Sequence, residues 1–288
     1  MSTDSRGILI EKISHEGKII NLIQDGIVPG GTKGRAAGDY LRTIDNKVIV
    51  YAGPATGYAQ VALAHWGKIL NKKIVLFLSS SPSGRHGNLR SSSSWGFTKI
   101  TKYAKQINPS IEVHPGKILK DCTQNAINYC SRSANDIAVQ GAASPYLLKF
   151  GFDDELFISI LGTKLLEAGL EIEGKTVWIT VGSGTVLRTL LSITKTTKFK
   201  CVTVGKGMYE DQYSPSDWTR LTIYKAPEYF TQDAVHQPPY DSLSNYDAKL
   251  WQFAMVDAQH DDYIFNIASR VPVNGIPAEG HNSLIAQT

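Results

Sequence analysis

Apolar residues arrive in short blocks that alternate between two spacings, separated by glycine-rich breaks. Residues 18–24 (Lys-Ile-Ile-Asn-Leu-Ile-Gln) read as a strand. A Pro29-Gly30-Gly31 break follows, then a helical stretch over 34–44 that Asn46 ends. Val48 to Tyr51 is a short buried strand, and Ala52 to Gly57 a turn of small residues. Residues 58–70 (YAQVALAHWGKIL) form an apolar helix, and 73–78 (KIVLFL) a second buried strand. Strand, glycine turn, helix, strand is a βαβ unit and predicts a parallel sheet.

Further along, the serine-rich stretch 79–94 has no periodicity and reads as a loop. The pattern then predicts a helix near 95–106, a strand at 111–113, a helix over 119–132 and a strand at 136–139. Ser144-Pro145-Tyr146 breaks the run and reads as a crossing between lobes. Residues 153–169 form a long helix, with acids in its first turn and Gly169 at its end. Lys175 to Val181 is a strong strand that runs into Gly182-Ser183-Gly184-Thr185 and a helix from Val186. Residues 199–204 and 221–225 read as strands, whereas 226–245 lack periodicity. An Asn245-capped helix runs to about 259, and the Gly/Pro-punctuated tail stays unassigned.

Composition narrows the class. A chain of 288 residues, 42% hydrophobic and 19% charged, can build two modest lobes around a sizeable core. The first eighteen residues contain no long apolar run and predict no signal peptide, and no stretch approaches a membrane span. A cytoplasmic location is therefore expected. Cys122, Cys130 and Cys201 suit a reducing compartment rather than a disulfide framework, and none has metal-ligand spacing with a histidine. The net charge of +4 permits contact with a polyanion, but the basic residues are scattered. No HExxH pair and no GxSxG elbow occurs, which argues against a zinc protease and a serine hydrolase.

Two turns carry the candidate chemistry. In Val28-Pro29-Gly30-Gly31-Thr32-Lys33-Gly34-Arg35, a lone lysine stands among small residues where a helix begins. Glycines let a ligand approach the backbone, and an amine held there can serve as a Schiff-base nucleophile. Gly182-Ser183-Gly184-Thr185 sits where a buried strand becomes a helix, a position whose N–H groups, dipole and hydroxyls form a cup for one phosphate. It lacks the Gly-Lys-Ser/Thr of a Walker loop and the full GxGxxG fingerprint. Thr56-Gly57-Tyr58 is another strand-to-helix turn of the kind that lines ligands. Taken alone, each has a plainer reading: a surface turn with a solvated lysine, a tight turn without a ligand, and economical packing. Together, a lysine and a separate monophosphate cup are what pyridoxal 5′-phosphate chemistry needs.

Order and spacing resemble the fold type II pyridoxal phosphate enzymes, the tryptophan synthase β-like family, and within it the aminocyclopropane-carboxylate deaminase and D-cysteine desulfhydrase branch. Gly30 to Arg35 resembles that branch's Gly-Gly-Asn-Lys-x-Arg motif. Ala52 to Ala64 takes the place of its Ser-Asn-His-type turn and Ala-rich helix, and Gly182 to Thr185 matches its phosphate loop. The asparagine that commonly contacts the cofactor is replaced by Thr56, Gly57 and Tyr58, and the residue facing the pyridine nitrogen is not assignable. A second resemblance is to phage-type pyridoxal phosphate proteins found alongside thymidine hypermodification. It runs through Gly-Gly-Thr-Lys, the 51–64 segment and Pro238 to Trp251.

The resemblance implies an α/β, two-lobe fold type II enzyme with parallel sheets flanked by helices. Residues 46–144 would form a smaller lobe inserted in a larger one made of 1–45 and 145–288. Lys33 would carry the cofactor as a Schiff base, Gly182, Ser183, Gly184 and Thr185 would hold its phosphate, and Thr56, Gly57 and Tyr58 would flank the ring or the substrate carboxylate. Thr32, Arg35, Tyr246 and Asp247 are further substrate-side candidates, the last two at the rim of the cleft. The expected reaction is decarboxylation or elimination at Cα. The substrate is an amino-acid group, either free or attached to a modified thymidine in phage DNA in the host cytoplasm, with Arg85, His86 and Arg90 leaning towards DNA. A deaminase or desulfhydrase acting on a free small amino acid and a non-catalytic protein retaining the fold are the alternatives. A homodimer is implied by the family.

Overall fold

A computed structural model describes residues 7–80, 98–138, 144–205, 208 and 210–270. In chain order the strands are β1 (Ile10–His15), β2 (Lys18–Ile23), β3 (Val48–Pro54), β4 (Lys73–Ser79), β5 (Glu112–Gly116), β6 (Tyr146–Leu148), β7 (Thr176–Val181), β8 (Lys198–Thr203), β9 (Leu221–Lys225) and β10 (Tyr263–Phe265). The helices are α1 (Thr32–Arg42), α2 (Ala59–Ile69), α3 (Lys99–Ile107), α4 (Leu119–Ala138), α5 (Glu155–Glu167), α6 (Thr185–Ile193), α7 (Pro215–Trp218) and α8 (Trp251–Asp257).

The chain divides into two compact units, Met1–Arg35 with Ile158–Thr288, and Ala36–Phe157. The first is built on a six-stranded sheet in the order β1-β2-β10-β7-β8-β9. Only the β1–β2 hairpin is antiparallel; the remaining pairs are parallel. Its core gathers Ile20, Leu22, Trp178, Val202, Leu250, Trp251 and Ile264. The second unit holds a four-stranded, wholly parallel sheet in the order β5-β4-β3-β6. Its two central strands, β3 and β4, are nearly continuous apolar runs because both faces are covered. One face packs Val50, Ala52, Val75 and Phe77 against Cys122 and Ala126 of α4.

Most predicted elements are present, and the exceptions are instructive. The strand expected at 136–139 is helix through Ala138: Asp136-Ile137-Ala138 continues α4 instead of starting a strand. Val139 lies outside the described residues. Ser144 to Tyr146 is not the crossing between lobes. β6 hydrogen-bonds to β3 in the smaller sheet, so the divisions fall inside α1 and α5 rather than at 45/46 and 144/145. Asn245 does not cap a helix; its side-chain amide donates to Phe230 O at 3.3 Å, and a 3-10 turn over Asp247–Leu250 precedes α8. The unassigned tail contains β10, which lies between β2 and β7. No helix among the described residues is long and apolar enough to cross a membrane.

Candidate active site

The lysine turn is rigid for reasons written in its glycines. Gly30 and Gly31 have φ of 88° and 67°, in the left-handed region that favours glycine, and Gly31 N–H donates to Val28 O at 2.7 Å. A Cβ on Gly34 would stand 1.9 Å from Pro29 O, so α1 can start there only with glycine. Thr32 is buried, with its N–H and hydroxyl both directed to Ile267 O, at 3.0 and 3.5 Å. Arg35 is also buried, and its Nε donates to Asp25 Oδ1 at 2.5 Å; neither side chain is more than 3% exposed. Both residues were expected to face substrate. In the folded chain they anchor the turn instead. Thr32 ties it to the segment after β10, and Arg35 locks it to Asp25. Lys33, between them, is half-buried, and its Nζ donates to Ser183 Oγ at 3.2 Å, across 150 residues of sequence.

The second turn meets that amine. β7 is buried up to Val181, and Gly184, at φ 84°, stands at the N-cap of α6. The cap has no side-chain partner, which leaves the first N–H groups of the helix to be met by something else. Ser183 Oγ and Thr185 Oγ1 lie 3.1 Å apart. Two tyrosines close in on the glycines: a Cβ on Gly182 would be 2.9 Å from the Tyr246 hydroxyl, and one on Gly184 would be 2.7 Å from that of Tyr213. Burial, helped by the Asp247 charge, pushes the Tyr246 phenol far above its ordinary range, so it stays protonated. Sequence reasoning missed Tyr213, because nothing local distinguishes it from any loop tyrosine.

Asp247 is not on a rim. It is 3% exposed; Oδ2 accepts the N–H of Ala268 at 2.8 Å, and Oδ1 has no hydrogen-bond partner among the described residues. Burial raises its carboxyl well above the usual range, partly opposed by the backbone N–H groups of Ala268 and Ile267. The Ile267–Ala268 segment therefore links two site candidates, accepting from Thr32 and donating to Asp247. Asp25 and this segment were invisible to motif reading.

Thr56, Gly57 and Tyr58 belong to the other unit and follow β3. Gln60 is buried, and its Nε2 donates to Ala55 O and Gly57 O, each at 2.9 Å. The hydroxyls of Thr56 and Ser79 and the Gln60 Oε1 are buried without a partner among the described residues. Arg85, His86 and Arg90 lie outside the described residues. Among the described residues no cluster of three or more His, Cys, Asp or Glu is placed to hold a metal.

No protein-family model matches the chain, and no curated protein does. Solved structures do. The chain is similar to an ACC deaminase homologue, with a TM-score of 0.66 and 16% identity over 93% of this chain and 91% of that one. It is also similar to a hydrogen sulfide-producing enzyme from Fusobacterium nucleatum, with a TM-score of 0.53 and 14% identity over 93% and 95%. An O-acetylserine-dependent cystathionine β-synthase from Helicobacter pylori matches with a TM-score of 0.56 and 14% identity over 93% and 94%. At such identities the likeness establishes the fold: an α/β chain with parallel sheets flanked by helices, of the kind these enzymes have.

Proposed function

We propose that this chain binds pyridoxal 5′-phosphate through Lys33 and removes a leaving group from a small amino acid by chemistry at Cα. The observation that carries this reading is the contact of Lys33 Nζ with Ser183 Oγ at 3.2 Å, which joins a lysine turn to a phosphate-type loop. The residues present fit the cofactor. A helix N-terminus, two hydroxyls and two glycines that admit no Cβ make a phosphate cradle, formed by Gly182, Ser183, Gly184 and Thr185. The unpartnered buried oxygen of Asp247 is an acceptor that a donor on the cofactor would satisfy.

Bound, the cofactor supplies an electron sink for negative charge at Cα. The protein does the rest. Lys33 Nζ would hold the cofactor, and the same amine is the base that would take the Cα proton. Ser183, Thr185 and the α6 N-terminus fix the phosphate and hence the register of the reacting carbon. Asp247, whose carboxyl burial raises above its usual range, would offer its unpartnered oxygen to a donor on the cofactor. Solved relatives of this fold include a deaminase homologue and a hydrogen sulfide-producing enzyme, which supports elimination as the reaction class.

Purified protein reconstituted with pyridoxal phosphate should absorb near the visible edge. Borohydride reduction should place the cofactor's mass on the peptide containing Lys33, and Lys33→Ala should lose both signals. A reducible bond that survives in Lys33→Ala sinks the assignment. Product analysis decides the finer question. Ammonia and a keto acid indicate elimination, whereas carbon dioxide indicates decarboxylation. Offering the substrate free and on a modified thymidine in DNA separates the two substrate classes, and sedimentation reports whether the chain forms the expected homodimer.

A further inference from the structure

The smaller unit contains a cavity of about 410 Å³, large enough for a small-molecule ligand. It opens where α4 passes along the edge strand β5. On the sheet side, Phe77 of β4 and His114 of β5 are register partners, and their rings stack at 4.5 Å and 11°. Tyr129 of α4 meets Phe77 edge-on at 5.8 Å and His114 at 6.1 Å. Three aromatic rings thus form one wall.

The other wall is polar and carries one sign of charge. Asn125, Asn128 and Arg132 of α4 line it, and with Tyr129 they follow helical spacing along one face. Asn128 Oδ1 accepts from Gln124, which leaves its amide donors for a ligand. Arg132 lies in no ion pair among the described residues. The nearby carboxylate, Glu112, is already engaged: Lys73 Nζ and His114 Nε2 each stand 2.7 Å from one of its oxygens. Among the described residues no carboxylate lines the cavity itself.

We propose that this cavity binds a small anion carrying a flat aromatic ring, with its ring against the His114–Tyr129 wall, its polar edge on the asparagines and its anionic group on Arg132. Aromatic rings stack on a flat ligand, the two amides meet its polar edge, and the guanidinium pairs with its anionic group.

The full chain, loaded with its cofactor so that the phosphate-type loop is occupied, is titrated with adenosine 5′-monophosphate, adenosine, 4-hydroxybenzoate and inorganic phosphate, with binding followed by calorimetry and saturation-transfer NMR. At least one of the two aromatic anions should bind with a Kd below about 1 mM, and adenosine and inorganic phosphate should each bind more weakly than the better of the two. Which of the two binds more tightly distinguishes a phosphate from a carboxylate head group. Arg132→Gln, at an exposed position, should keep the wild-type melting temperature and weaken that anion about tenfold or more. His114→Ala should weaken the ring-bearing ligands and leave inorganic phosphate unchanged. The proposal is overturned if neither aromatic anion binds saturably, if inorganic phosphate binds as tightly as the better aromatic anion, or if Arg132→Gln binds like wild type.

Discussion

Two strand-to-helix turns of this chain look alike in sequence and solve opposite problems. After β3, side-chain donors take two carbonyls of the turn at 54–60. Ala55 O receives Gln60 Nε2 and the Thr98 hydroxyl, at 2.9 and 2.6 Å, and Gly57 O receives the same Gln60 amide. After β7, Gly184 caps α6 with no side chain at all, so the turn at 182–185 makes no side-chain cap of its own. Its hydroxyls face one another and a lysine amine. Small residues at a βα junction are therefore not a ligand signature in themselves. What matters is whether a neighbouring side chain has already taken the groups that a ligand needs.

The largest effect is expected where the lysine turn is anchored to reach the second junction. Arg35→Met leaves Asp25 charged, buried and stripped of its 2.5 Å ion pair. Stability should fall by about 3–5 kcal/mol in urea denaturation. A loss below about 1 kcal/mol would show that the pair does not hold the turn.

Next comes Gly184→Ala. A positive φ and a Cβ 2.7 Å from the Tyr213 hydroxyl both oppose it. The affinity for pyridoxal phosphate should drop about tenfold to a hundredfold, or about 1.4–2.8 kcal/mol, in a spectroscopic titration. The matching change at the first junction, Gln60→Leu, strips Gly57 O of its side-chain donor. It should lower the melting temperature through a cost of about 1–3 kcal/mol while leaving cofactor affinity unchanged. If Gln60→Leu abolishes cofactor binding, the contrast between the two junctions collapses.

The effect most remote from this contrast is a pH slope that touches neither turn. Lys249 is fully buried and donates to Tyr229 O at 2.8 Å. Burial lowers its amine from 10.5 to about 8, against the pull of Glu228 and Asp233. Between those values the unfolded chain keeps a proton that the folded chain has released. Stability should thus rise with pH across this window, by up to about 1.4 kcal/mol per unit from this group. Lys249→Met should flatten the rise, as read by denaturation at pH 8, 9 and 10.

How much was legible depended on how local the cause was. Lys73 to Leu78 is an unbroken apolar run between breaks and could only be a buried strand. Gly182 to Thr185 follows a strand and opens a helix, and both neighbours are strongly patterned. β10 escaped because it is three residues long; it is a strand only because β2 and β7 supply hydrogen-bond partners on both sides. Arg35 misled because an arginine beside a nucleophilic lysine reads as a substrate clamp, and its true partner, Asp25, is recognised only once the turn is folded.

The sequence by itself determined the α/β class, the order of most elements and the two glycine turns, since periodicity and left-handed glycines act within a few residues of chain. Tertiary structure decided the rest. It brought Lys33 to Ser183, buried Asp247 beside Ala268 with one oxygen unanswered, and assembled an aromatic and cationic cavity from β4, β5 and α4. Each of these needs residues distant in the chain to share a low-dielectric space. Burial, pairing and pKa are set by that space, and no local pattern encodes it.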